Sequence, residues 1–145
     1  MSVRPVGSSE ADQLLALCRA FVFDLGRGRG GLRFIVDVCE HFNCDAASLP
    51  GRLAEQAQRG LTQSDEALLS VAFVFDGVGF IYVASGARQQ GRGRSLFHAL
   101  RAAQGSFELW TKPGDRVAKS FGESVGLKAR KLVMSEQQGE DDGES

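Results

Sequence analysis

"GFIYVASGARQQGRGRSLFHAL", residues 79–100, decides how this chain is read. It opens as a β-branched and aromatic run, GFIYVA at 79–84. It then passes through a segment where arginine and glycine alternate, and turns abruptly into an apolar, helix-prone stretch, RSLFHALRAA at 94–103. A strand that delivers the chain, a glycine turn and a helix N-terminus are, in that order, the parts of a phosphate cradle. Gly91 and Gly93 carry no Cβ, so a ligand can approach the backbone and unusual φ values are open. Hydrogen bonds from the exposed amides to a charged group contribute ~1.5–3 kcal/mol each. The helix dipole adds only ~0.3–1 kcal/mol. The amides therefore do most of the holding, and Arg92 and Arg94 add charge around them.

A second arginine-glycine run, GRGRGG at 26–31, has a different setting. It falls between SSEADQLLALCRAFVF (8–23), a helix with Ser8 or Ser9 at its cap, and LRFIVDVCEHF (32–42), a second amphipathic helix. With no strand feeding it, it reads as a mobile helix–helix loop, the alternatives being a substrate lid or an RGG-like nucleic-acid contact. VRPV (3–6) is a short strand, and LPGRLAEQAQRG (49–60) a third helix. ALLSVAFVF (67–75) and GFIYVA flank Asp76-Gly77, a hairpin signal. SFELWT (106–111) is a strand. DRVAKSFGESV (115–125) is a helix with Asp115 at its cap and Gly126 at C′. LKARKLVM (127–134) is a last strand. A hairpin followed by strand–helix–strand crossovers predicts an α/β fold, a single-layer mixed β-sheet flanked by helices on both faces. One domain is expected over 1–135.

The chain has 145 residues, 43% hydrophobic and 24% charged, in the range of a soluble globular protein. Its net charge of −1 conceals an asymmetry: Glu136, Glu140, Asp141, Asp142 and Glu144 crowd the last ten residues, leaving 17 basic side chains against 13 acidic ones elsewhere. The tail, 136–145, is expected to be disordered. No apolar run approaches the ~20 residues of a membrane span, and MSVRPVGSSEADQ lacks the apolar centre of a signal peptide. No membrane partner and a cytoplasmic location are expected. The three cysteines form no CxxC pair, which argues against a disulfide framework. CEHFNC offers Cys39, His41 and Cys44 as a metal cluster. However, Leu32, Ile35, Val36, Cys39 and Phe42 fall on one helical stripe, which makes Cys39 a core residue, and no metal site is expected.

Arg88-Gln89-Gln90-Gly91-Arg92-Gly93 resembles the R/Q-x-x-G-x-G/A acyl-CoA signature of the GNAT superfamily of N-acetyltransferases. IYVASGAR looks like that family's lead-in strand and loop, and VRPVGSSEADQLLALCRAF is similar to its opening strand and helix. In DRVAKSFGESVGL, Ala118, Phe121 and Gly126 match the closing helix, with Asp115 and Leu127 near matches. The resemblance, strongest over 79–127, implies a GNAT-like acyl-CoA N-acyltransferase fold with acetyl-CoA or another acyl-CoA as co-substrate. It implies that the pantetheine arm pairs with the backbone of the 79–84 strand near Ile81 and Val83. There that strand and the next splay apart, with FELWT opposite. It assigns the pyrophosphate to the loop opened by Arg88 and to the amides of Gln89, Gln90, Gly91, Gly93 and Arg94.

The same resemblance exposes a gap. The family's frequent general acid, a tyrosine, falls at Gly122. The only tyrosine, Tyr82, lies inside the preceding strand and faces opposite to Ile81. A general acid contributes ~10²–10⁴-fold, but a thiol of pKa ~8.5 leaves tolerably as a thiolate. Ser120 and Ser124 are candidates to protonate it later. The amine needs a base, for which Glu108 beside the splay is the first candidate, its alternative being a solvent-facing strand residue. Asp76 belongs to the turn. Trp110 either lines the acceptor pocket or belongs to the core. The strand that the family places before the central hairpin is not found in 43–66. An amine acceptor is expected, its identity open, in a monomer or homodimer. A catalytically silent CoA-binding module and a nucleic-acid binder using both arginine-glycine runs are the alternatives.

Overall fold

Asp76 and Gly77 both take positive φ, 49° and 80°, the signature of the tight turn that matches the twist of a hairpin. Around them the computed structural model, which describes residues 2–63, 67–88, 91–110 and 121–127, builds a five-stranded sheet. The strands are β1 (Val3–Pro5), β2 (Leu61–Gln63), β3 (Ser70–Phe75), β4 (Val78–Val83) and β5 (Glu108–Leu109). The helices are α1 (Ala11–Gly26), α2 (Gly31–Phe42), α3 (Leu49–Ala57) and α4 (Arg92–Gln104). The strands lie in chain order. β1 to β4 run antiparallel, and β5 is parallel to β4 after the α4 crossover. Positions 121–124 are helical. The start of the expected closing helix, with Asp115 and Ser120, lies outside the described residues. So do Gln89, Gln90, nearly all of the expected last strand and the acidic tail.

Strand alternation sorts the core onto two faces. Val71, Phe73, Val78, Phe80 and Tyr82 pack against α1, α2 and α3 through Leu14, Cys18, Phe21, Val38, Phe42 and Leu53. Ala72 packs on Leu96 and Leu100 of α4, with Val74, Ile81 and Phe107 beside them. The mixed sheet flanked on both faces is thus as expected. Gly79 fits this scheme because a Cβ there would stand 2.5 Å from Cδ1 of Phe107, so the ring fills the space that a side chain would have taken.

Several local expectations change. The Ser8/Ser9 region forms a 3-10 turn, and α1 begins three residues later than read. Glu10 stabilises this entry. Its Oε1 accepts from Gly7 N at 2.7 Å, and both its oxygens bind Arg4 at 2.9 Å. A charged acceptor is stronger there than a serine hydroxyl. On α2 the buried stripe is rotated. Val38, Cys39 and Phe42 are buried, whereas Leu32 and Val36 are 52% and 43% exposed. The strand missing from 43–66 is β2, where the third helix had been read to end. It carries Thr62 and Gln63, both buried, and Thr62 Oγ1 donates to Ser70 O at 2.6 Å. Within GRGRGG, residues 27–30 make a four-residue connection in which Gly28 and Gly30 take φ 76° and 77°. Its last glycine, Gly31, lies so close to Gly26 that a Cβ would fall onto that carbonyl. Among the described residues no helix is long and apolar enough to cross a membrane.

Candidate active site at the fork of the sheet

Among the described residues β5 pairs with β4 at two positions, Val78 with Glu108 and Gly79 with Leu109. β4 runs on to Val83, still fully paired with β3 on its other side. Residues 80–83 form the arm of β4 that extends beyond the described β5 pairs. The chain leaves that arm through a 3-10 turn at Ser85–Ala87 and re-enters helix at Arg92. Gly91 is the N-cap, with φ 76° and ψ 7° and no side-chain cap. Ser95 N bonds back to Gly91 O at 3.0 Å, so the amides of Gly93 and Arg94 precede the first α-helical donor in α4. A Cβ on Gly91 would meet nothing within 4 Å. A side chain there would have room.

The arginines are placed more specifically than charge alone suggests. Arg92 is buried at the root of α4. Arg94 donates from Nη1 to Ser124 O at 3.1 Å, tying the first turn of α4 to the end of the last described helix. Arg88 turns back toward the sheet. Its Nε donates to Val83 O at 2.7 Å, its Nη2 to Asp24 Oδ2 at 3.0 Å, and its guanidinium stands 5.5 Å over the Tyr82 ring. Asp24 Oδ2 also accepts from the Tyr82 hydroxyl at 2.5 Å. Tyr82 stacks on Phe21 at 4.8 Å. Burial, then Asp24, pushes its phenol up to about 12, so at neutral pH Tyr82 keeps its proton and gives it to Asp24 as a hydrogen bond. Asp24 was not among the sequence candidates. Its partners are 58 and 64 residues away, and no local pattern announces them.

Gly93 faces the closing segment. Its missing Cβ would lie 3.3 Å from Cε1 of Phe121, so this glycine seats that ring against α4, where Phe121 also meets Phe97 edge-on at 6.4 Å. Ser124 Oγ donates to Phe121 O at 2.7 Å. Gly122 O accepts from Leu127 N at 2.9 Å and Glu123 O from Gly126 N at 3.1 Å, with Gly126 at φ 94°. This is a Schellman ending with Gly126 at C′, as read from the sequence, and Gly122 at C3.

Glu108 pairs with Val78 at the start of β5. Its N donates to Gly77 O at 2.9 Å, and its exposed carboxylate accepts from Trp110 Nε1 at 3.2 Å. Trp110 packs at the edge of the core against His41, ring centroids 5.0 Å apart. His41 itself is engaged with Phe75 O at 2.8 Å. Cys39 is buried in the core, its thiol pushed up by burial and then by Cys44. Among the described residues no group of three or more His, Cys, Asp or Glu is placed to hold a metal ion.

No family profile matches the sequence, and no curated protein matches it. Solved structures do. A Pyrococcus furiosus protein assigned as an acetyl transferase is 18% identical, with a TM-score of 0.60 over 94% of this chain and 99% of its own. The ribosomal-protein-alanine N-acetyltransferase of Brucella melitensis biovar Abortus 2308 is 14% identical, with a TM-score of 0.57 over 95% and 100%. The aminoglycoside N-acetyltransferase AAC(6')-Iy, solved with a CoA bisubstrate analogue, is 14% identical, with a TM-score of 0.55 over 94% and 97%. The chain has the fold of the GNAT acetyltransferases.

Proposed function

We propose that the chain is an acyl-CoA-dependent N-acyltransferase, transferring an acyl group, acetyl in the first instance, to an amine. The observation that carries this is the strand β4 running on past its described β5 pairs to a turn and a left-handed Gly91 that caps α4, with room for a Cβ. Solved neighbours with the same fold were crystallised with CoA, which supports the same ligand here. Bound acyl-CoA would supply an activated thioester. The amides of Gly91, Gly93 and Arg94, with Gln89 and Gln90, would hold its pyrophosphate, and the backbone of Ile81 and Val83 its pantetheine arm. For the second of these, Arg88 Nε must release Val83 O. Asp115 and Phe121 of the closing segment are the remaining proposed CoA contacts. The amine must lose a proton as the C–N bond forms and the C–S bond breaks, and the thiolate regains one. Glu108 is proposed for the first transfer, Ser120 and Ser124 for the second.

Calorimetric titration with CoA tests the reading. Binding in the micromolar range is expected, and its absence at millimolar CoA with folded protein would sink it. A second reading is a CoA-binding module without turnover, favoured by Gly122 standing where the family has a tyrosine. Thiol release from acetyl-CoA across a panel of amines separates the two.

A further inference from the structure

The helix α2 ends in a Schellman motif, as the segment at 121–127 does, but with a different pair of side chains. Asn43 is its left-handed C′ residue, at φ 54° and ψ 52°. Asn43 N donates to Glu40 O at 3.1 Å and Cys44 N to Cys39 O at 3.0 Å. Those two bonds place Cys39 at C3 and Cys44 at C″, the positions whose side chains pack together in this motif. An apolar pair is common there; here both residues are cysteines with free thiols. The thiols interact directly, since Cys44 is, after burial, the next cause that pushes the Cys39 thiol up. They differ in access. Cys39 is 8% exposed and belongs to the core, whereas Cys44 is half-buried at its edge. Both border one cavity, together with Ile35, Val36, Glu40 and Ala46, and Val36 is itself exposed. A small molecule can therefore reach the pair from solvent. The third cysteine, Cys18, is fully buried on α1, and burial pushes its thiol up to about 12. The thiolate is the reactive form, so Cys18 stays out of this chemistry.

We propose that Cys39 and Cys44 form a reversible dithiol–disulfide site, closed by a low-molecular-weight disulfide. The Cys44 thiolate attacks one sulfur of the reagent, forming a mixed disulfide and expelling one thiolate. Cys39 then gives up its proton, and its sulfur attacks Sγ of Cys44. The Cys39–Cys44 bond forms and the second thiolate is expelled. Two electrons pass from the protein thiols to the reagent, which leaves as two thiols carrying the two protons. The cap hydrogen bonds already hold the partners together before the reagent arrives. Closure adds a covalent tie at the end of the helix that carries His41 and Phe42 onto Phe75. This is one switchable pair, not a disulfide framework, and it is independent of the acyltransferase reading.

The probe is bis(2-hydroxyethyl) disulfide, uncharged because Glu40 borders the cavity, with 2-mercaptoethanol as its reduced partner. The full chain is equilibrated across a range of their ratio, quenched with acid, alkylated and digested with trypsin. Residues 34–52 carry both cysteines and no Lys or Arg before Arg52, so one peptide reports the bond as the loss of two hydrogens. This peptide should close, with little mixed disulfide remaining and Cys18 unmodified. An unfolded chain also closes so short a loop, so the same equilibrium is measured in urea. The folded chain should favour closure by about tenfold or more, the gain of partners already held together. Cys39→Ser should arrest the reaction at the mixed disulfide on Cys44. Cys44→Ser should slow modification of the buried Cys39 by about tenfold or more. Closure no more favourable folded than in urea, a mixed disulfide that persists on wild-type Cys44, or a bond to Cys18 overturns the proposal. If a serine variant does not fold, the wild-type comparison with urea decides alone.

Discussion

Gly30 and Gly91 stand at the starts of α2 and α4 in nearly the same conformation, φ 77° and ψ 0° against φ 76° and ψ 7°, neither with a side-chain cap. Each belongs to an arginine-glycine run, and locally the runs are almost interchangeable. Their surroundings are not. The first run links one helix to the next in four residues, and Gly31 is jammed against the Gly26 carbonyl. The second follows a strand, β4, that runs on past its described pairs with β5, and a Cβ on Gly91 would meet nothing within 4 Å. The same sequence motif is tight at Gly31, at the start of one helix, and roomy at Gly91, at the cap of the other. What decides is the element that delivers the chain.

The sharpest way to break this comparison is to put charge on each cap. Asn and Asp both tolerate the left-handed region and are nearly isosteric, so the pair isolates charge from strain. Gly91→Asp should lower CoA affinity by about 100-fold or more relative to Gly91→Asn, the equivalent of ~3 kcal/mol from lost or opposed charged hydrogen bonds. Calorimetry on both variants reads it. The same exchange at Gly30 should leave CoA affinity unchanged. If Gly30→Asp weakens CoA equally, the two runs are one site and the distinction fails.

The converse experiment reads stability. Gly31→Ala drives a methyl onto the Gly26 carbonyl and should destabilise by about 2 kcal/mol, an overpacking effect the backbone cannot relieve cheaply. Gly91→Ala meets nothing within 4 Å and should lose only ~1 kcal/mol, through its left-handed φ. Denaturant titration of the two variants gives the order, and the reverse order would disprove the packing account.

These contrasts also show what a sequence can disclose. Asp76-Gly77, Gly91 and Gly126 are legible because each turn demands a backbone conformation that few residues adopt, and all take positive φ. β2 is not legible. It is three residues long, and two of them, Thr62 and Gln63, are polar yet buried. Thr62 is tolerated there because Ser70 O, on the neighbouring strand, accepts its hydroxyl. The α2 stripe was misread because Leu32 and Val36 fit the helical period as well as Val38 does. Which face turns inward is set by Phe42 stacking on Phe75 at 4.6 Å, a contact between distant segments. Asp24 is the extreme case, since its partners Tyr82 and Arg88 lie 58 and 64 residues away.

Asp24 is also the joint between the two runs, just ahead of the first and bound to Arg88 at the head of the second. Tyr82 reports on it, being the only tyrosine in the chain, so phenolate absorbance reads one group. The folded phenol is raised from 10 to about 12 by burial first and Asp24 second. Its contribution to stability is complete below pH 10 and is lost as the pH climbs through 12, because the unfolded chain ionises first. Asp24→Asn should bring the titration back toward 10 without reaching it, since burial persists. A midpoint unchanged by Asp24→Asn would show that the hydrogen bond does not govern the phenol. At the other end of α1, Arg4 and Gly7 hold Glu10 at about 2 against an ordinary 4.5. That contribution is present above pH 4.5 and is lost as the pH falls through 2, and acid unfolding of Glu10→Gln should lack this component.

The smallest effect is expected where the cradle meets the closing helix. Gly122 occupies C3 of the Schellman ending, and a Cβ there would lie 3.9 Å from Cβ and Cδ1 of Leu127, an ordinary contact. C3 and C″ are the positions whose side chains pack together in this motif, so a larger residue at 122 extends a contact that Leu127 already offers. Gly122→Tyr should therefore stabilise by ~0.5–1 kcal/mol, the usual penalty of glycine in a helix, visible as a small rise in Tm. It also places a phenol where the GNAT resemblance puts the general acid. With an acceptor in hand, acetyl transfer should be equal or faster in Gly122→Tyr, and transfer of longer acyl groups slower, because the ring takes the space beside the sulfur. A stabilised variant with slower acetyl transfer would show that the room at Gly122 already serves the proton path, and that this chain completes the reaction without the tyrosine rather than in spite of its loss.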